Sequence, residues 1–122
     1  MSFESVLQAI VQECPGARGA ALMGSDGIPI AQVAAAGADE DAEEVSVLGV
    51  EFGRILDEAR KAGDAAGAGA TLELSVRTER YHVVVQPVDA ETYLVLALTA
   101  NGNVGKGRYL LRRHQLAIRE EL

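Results

Sequence analysis

Apolar positions recur along the chain with two periods, and the period changes wherever glycine or proline interrupts. Phe3, Val6, Leu7, Ile10, Val11 and Cys14 follow helical spacing, with Ser2 at the N-cap position, and Pro15-Gly16 closes that helix. Ala17 to Met23 reads as a strand of small residues, Gly24-Ser25-Asp26-Gly27 as a turn, and Ile28, Ile30 and Val33 as a second strand completing a hairpin. Pro29 has no N–H to give a ladder, which places that strand at a sheet edge or Pro29 at its start. Val45, Leu48, Phe52, Ile55, Leu56 and Ala59 restore the helical period, predicting a long helix from about Asp41 to Ala62. The acids Asp39 to Glu44 precede it and Arg60 and Lys61 close it, both favourable to the helix dipole.

After a small-residue connection from Gly63 to Gly69, Leu72, Leu74 and Val76 alternate with polar partners as a half-buried strand. Tyr81 to Val88 follows as another strand. Tyr93 to Thr99 is apolar on both faces, which suits a central strand covered on each side. Asn101-Gly102-Asn103 leads into a last helix running from Val104, striped by Leu110, Leu111, His114, Ala117, Ile118 and Leu122. The order α-β-β-α-β-β-β-α with short connections predicts a single α+β domain over residues 1–122. Its five-stranded antiparallel sheet should carry helices on both faces.

One feature of the long helix runs against helix propensity. Gly49 and Gly53 lie four apart on one face, with Ser46 a turn earlier. Each interior glycine costs about 1 kcal/mol relative to alanine, so close approach of another backbone, the underlying sheet or a second helix, should offset it. Leu48, Phe52 and Leu56 lie to one side of the glycines and Val50 to the other, so the helix is expected to be apolar beyond one packing face.

Composition narrows the function. Apolar residues make up 48% of the 122 but aromatics only 4%, which argues against a deep aromatic-lined ligand pocket. The net charge of −7 disfavours nucleic-acid binding, which needs a basic footprint. The charge is uneven: residues 1–64 hold four Lys/Arg and twelve Asp/Glu, whereas Val104 to Arg119 holds Lys106, Arg108, Arg112, Arg113 and Arg119 and no acid. Such asymmetry can orient a partner. One cysteine excludes an internal disulfide framework. The amino terminus lacks a secretory pattern and no apolar run reaches about 18 residues. A cytoplasmic protein without membrane insertion is expected.

Catalytic and ligand-binding patterns are few. Ala100 to Gly107 follows a strand and opens a helix, where a phosphate-binding loop would sit, but Ala100 replaces the first glycine and Gly107 the metal-holding Ser or Thr. It reads as a turn whose glycines permit positive φ. His82 and His114 lack Cys or His at ligand spacing. None of Ser2, Ser5, Ser25, Ser46 and Ser75 sits in a nucleophile elbow. The Asp39–Glu44 run lacks the ligand order and central glycine of a calcium loop. No metal, cofactor or catalytic residue is expected, and the protein reads as a non-enzyme.

The Gly24–Ile28 turn, the glycine-bearing helix over Val45–Ala59, the strand trio, and Asn103-Val104-Gly105 opening a helix of Leu-Leu-Arg-Arg type together resemble the roadblock / dynein light chain family, whose prokaryotic members include regulators of Ras-like GTPases. The resemblance covers nearly the whole chain. It implies a roadblock / profilin-like fold, a homo- or heterodimer joining sheets edge to edge with long helices paired, and binding of a small GTPase without catalytic residues of its own. On this reading the homodimer interface comprises Ser46, Gly49, Gly53 and Leu56 of the helix with Leu72, Glu73, Leu74, Ser75, Val76 and Arg77 of the open edge strand. A two-fold axis at Ser75 would set Glu73 opposite Arg77 of the second copy. The GTPase would meet Val50, Glu51, Arg54, Asp57 and Glu58. A profilin-like or PAS-like sensory domain for a small ligand, and a structural scaffold without a GTPase, are the alternatives.

Overall fold

The structure is a computed structural model that describes residues 2–37 and 42–122. Asp39, Glu40 and Asp41, read as the acidic approach to the long helix, lie outside the described residues. Eight elements follow in the expected order: α1 (Phe3–Glu13), β1 (Ala17–Gly24), β2 (Pro29–Ala34), α2 (Ala42–Ala66), β3 (Leu74–Arg77), β4 (Tyr81–Pro87), β5 (Thr92–Thr99) and α3 (Val104–Glu121). The five strands form one sheet in the order β2-β1-β5-β4-β3, every neighbouring pair antiparallel. The two edges are β2, which starts at Pro29, and β3.

The sheet separates two cores. β5 contributes to both, because alternate residues of a strand point to opposite faces. Leu94, Leu96 and Leu98 join Leu7, Ile10, Leu110, Leu111 and Ile118 beneath α1 and α3. Tyr93, Val95 and Ala97 join Met23, Leu56, Val83 and Val85 beneath α2. α1 starts where Ser2 Oγ accepts the Ser5 N–H at 3.1 Å, and Cys14, buried, closes it.

Two boundaries differ from the sequence reading by more than one residue. α2 does not stop at Ala62 but continues through Gly63 to Ala66. Its stop is Gly67, at φ +66°, where the N–H of Ala68 reaches the Gly63 carbonyl and the N–H of Gly67 reaches that of Asp64. That pair of bonds is a Schellman cap, which needs a left-handed residue after the last turn. β3 begins at Leu74 rather than Leu72, whose side chain is 80% exposed. Glu73, just before the strand, is drawn under α3, where its carboxylate accepts from Arg108 Nε at 2.9 Å and from Gln86 Nε2 at 3.1 Å.

Candidate protein-binding surface

α2 crosses the sheet on a narrow stripe. Val45, Gly49, Gly53 and Leu56 are its buried residues. Tyr93 rises from β5 into the space the glycines leave. Its hydroxyl donates to the Gly49 carbonyl at 3.2 Å, and a Cβ at Gly53 would collide with the Tyr93 ring. Burial, assisted by Asp57 and Asp26, pushes the Tyr93 hydroxyl above its usual pKa, so it remains a donor. The first turn of α2 is tied to β4: Glu44 accepts from Tyr81 Oη at 2.8 Å and pairs with Arg80 at 3.0 Å.

This seating bears on the expected interface. Gly49 and Gly53 pack against the chain's own sheet. Leu56 is fully buried inside the domain and is unavailable to a partner. Ser46 faces the β2 side, where its Oγ donates to Gln32 Oε1 at 3.1 Å. The cause is a bulky tyrosine in β5, which only a bare helix backbone can accommodate.

The flank of α2 that remains open is a different one. Leu48, Phe52, Ile55 and Ala59 share a face by i, i+4, i+7, i+11 spacing, turned to the same side as Glu44 and so toward β4 and β3. Leu48 and Phe52 pack partly against the core, whereas Ile55 is 44% exposed. Beside this flank Leu74 and Val76 of β3 are half-buried, and β3 has β4 on one side and no strand of the described residues on the other. The spacing of Leu48, Phe52 and Ile55 is visible in the sequence, but there it reads equally well as core packing. The glycines point to the neighbouring stripe instead.

Farther out on α2, Glu51, Arg54 and Glu58 line one solvent face with Val47, which is 55% exposed. Arg54 pairs with Glu51 and Lys61 with Glu58, each at 3.3 Å. Exposed pairs of this kind contribute only about 0–1 kcal/mol, so they leave the face free to re-pair with a partner. Val50 is half-buried near Gly27 of the β1–β2 turn, and Asp57 pairs with Arg60 at 3.9 Å. The five expected partner-binding residues therefore divide: Glu51, Arg54 and Glu58 come together, while Val50 and Asp57 turn toward the hairpin side.

On the opposite face a polar ladder links α3 to the sheet. Arg119 Nη2 donates to the Val88 carbonyl at 3.0 Å. Gln115 donates to Gln86, and Gln86 to Glu73. Arg108 bridges Glu73 and Ser75 Oγ. Ser75 Oγ lies 2.7 Å from His82 Nε2. Desolvation, then the charges of Arg108 and Arg77, lower the His82 pKa against an opposing pull from Glu73.

The loop before α3 has a steric role rather than the torsional one expected. Gly102, Gly105 and Gly107 are not among the glycines with positive φ. Gly107 is buried, and a Cβ there would come within 2.8 Å of Leu96 and 3.4 Å of Cys14 Sγ. The glycine lets α3 settle on β5. Asn103, not a glycine, caps the helix by accepting the Lys106 N–H at 3.1 Å. Burial raises the Cys14 thiol pKa, as befits a small hydrophobe. Among the described residues no group of three or more His, Cys, Asp or Glu is placed to hold a metal. None of the described helices is long and apolar enough to cross a membrane.

Residues 4–98 match the Roadblock/LC7 domain family. The chain belongs to that family. MglC from Myxococcus xanthus is 36% identical, with each chain fully covered and a TM-score of 0.72. A Roadblock/LC7 domain from Streptomyces avermitilis superposes with a TM-score of 0.85 at 16% identity, over 99% of this chain and 98% of that one. The gliding protein MglB from Thermus thermophilus gives 0.82 at 22% identity, over 95% and 84%. No curated protein sequence matches the chain. The roadblock match ends at Leu98, so β5 is its last element and α3, with the basic side chains, lies beyond it.

Proposed function

We propose that this roadblock domain is a non-catalytic homodimer that regulates or scaffolds a small Ras-like GTPase. The observation that carries the reading is the uncovered apolar flank of α2 beside the unpaired edge of β3. An apolar helix flank and an open strand edge on one side of a domain expose it to uncontrolled association unless a partner covers both. A second copy related by a two-fold axis does so at once: β3 pairs with β3, and Leu48, Phe52 and Ile55 of the two α2 helices meet above the joined sheet. Glu73 to Arg77 then form the strand part of the interface, Leu72 lying in the α3 groove instead, with the α2 part shifted from the glycine stripe to this flank.

Paired helices would bring two outward faces of Val47, Glu51, Arg54 and Glu58 side by side. A mixed apolar and charged surface suits orientation-specific docking. The family resemblance supplies the partner class, and a regulatory rather than catalytic role agrees with it. The small-ligand reading has less support. The cavity between β1, β2 and the start of α2 is about 170 Å³, below the roughly 300–1,000 Å³ of typical ligand sites, and the larger spaces are open surface grooves, such as the one of about 400 Å³ beside α3.

The test has two stages. Light scattering at micromolar concentration should give twice the monomer mass. Binding to the Ras-like GTPase encoded nearest to this chain, loaded with GTP analogue or GDP, should then differ between the two nucleotide states. A monomer removes the dimer; no binding in either state leaves a scaffold without a GTPase.

A further inference from the structure

The basic side chains of α3 are not scattered around the helix. Arg108, Arg112, Gln115 and Arg119 follow i, i+4, i+7, i+11 spacing and so lie along one stripe. At 1.5 Å per residue the stripe is roughly 16 Å long. It forms one wall of a groove whose other wall is the segment 71–73 with Pro87, on the face of the sheet opposite α2. The space is about 400 Å³.

The groove is built from groups in different states of satisfaction. Its floor is closed: Gln86, 2% exposed, is held by Gln115 and Glu73. Arg108 is held by Glu73 and Ser75, and Arg119 by the Val88 carbonyl. Arg112 makes no hydrogen bond or ion pair with the described residues and is exposed at the rim. Opposite it Leu72 presents an apolar side chain, 80% exposed. Three arginines face one carboxylate across this space.

We propose that the α3 groove is a docking site for an acidic, leucine-containing segment of a partner protein. The inference does not depend on the GTPase reading, because it concerns the other face of the sheet. The stripe accommodates about five residues of extended chain at 3.3 Å each. Carboxylates of such a segment reach Arg112 and the free N–H groups of Arg108 and Arg119, where charge-assisted and bidentate bonds are available. An apolar side chain between them covers Leu72. Nucleic acid and anionic membrane fit less well: the net charge of −7 repels an extended anionic surface, and Glu73 stands inside the groove.

The experiment uses the full chain and a fluorescein-labelled glutamate–leucine peptide, followed by fluorescence anisotropy. Saturable binding that weakens with added salt is expected. Arg112→Glu should weaken it about tenfold or more, while Arg113→Glu, the same charge change off the groove, should cost much less. Leu72→Ser should weaken it further without altering the fold, since Leu72 is outside every strand. Three results would overturn the proposal: equal losses in the two arginine variants, equal binding of a glutamine–leucine peptide, or binding of phosphatidylserine vesicles or duplex DNA in place of the peptide.

Discussion

The hydroxyl of Tyr93 donates to the carbonyl of Gly49, and the Tyr93 ring occupies the volume that a side chain at Gly53 would need. Helix and strand are locked by an aromatic wedge that enters a helix stripped of side chains at that point.

Gly53→Leu should therefore act on the fold. Overpacking costs about 1–3 kcal/mol, and here the obstacle is a tyrosine ring with a hydrogen bond to lose. The midpoint of urea denaturation should fall. Tyr93→Phe in the same background should recover little, because the ring and not the hydroxyl is the obstruction. An unchanged midpoint for Gly53→Leu would show that the ring swings away at no cost.

Ile55→Arg should have the opposite signature. The side chain is 44% exposed and a charge there is solvated in the monomer, so the isolated fold should tolerate it within about 0.5 kcal/mol. The dimer should dissociate, because the arginines of two copies would meet across the axis. Sedimentation equilibrium reads the result. A dimer that survives both Ile55→Arg and Ser75→Pro uses neither the α2 flank nor the β3 edge.

The register at that edge has its own check. With the axis at Ser75, Glu73 faces Arg77 of the second copy, but Glu73 already holds Arg108 at 2.9 Å. The two-fold makes that pair twice, and each cross-strand pair contributes roughly 0.2–1 kcal/mol, so Arg77→Ala should weaken the dimer by no more than about thirtyfold. A much larger loss would mean that Arg77 carries more than one contact across the axis.

His82 makes stability depend on pH. Its folded pKa is lowered, first by desolvation and then by Arg108 and Arg77. The unfolded chain thus takes up the proton first, as the pH falls through about 6.5. Stability is complete above that value and declines below it, through the lower folded pKa. Denaturation midpoints between neutral and mildly acidic pH should show this slope, and His82→Gln should flatten it. An unaltered slope would assign the effect to other groups.

Most of the architecture was legible because the helices keep one period and glycine or proline marks the ends of α1, β1 and β4. The two-faced apolar run over Tyr93 to Thr99 identified the central strand, and Pro29 identified an edge. The end of α2 was not legible: Gly63 and Gly67 look alike in the sequence, and only the second takes the left-handed conformation of a cap. The glycine pair announced a close approach, but its partner, Tyr93, lies 44 residues beyond Gly49 and belongs to another element. Gln86 carries no mark of its burial in the sequence. It is 2% exposed because Gln115 and Glu73, from two distant segments, converge on it. Long-range polar convergence leaves no local pattern.

Glu73 is one carboxylate with several claimants. Arg108 holds it within the domain, and a two-fold axis at Ser75 would add Arg77 of a second copy. An ion pair gained at the strand edge would compete with the one under α3 and free Arg108 for the groove. Edge pairing and groove occupation then draw on the same charge, and equilibrium linkage requires any coupling to be mutual. An acidic segment bound under α3 would strengthen the dimer by the same factor by which the dimer strengthens its binding, so a single side chain would let each side of the molecule sense whether the other is filled.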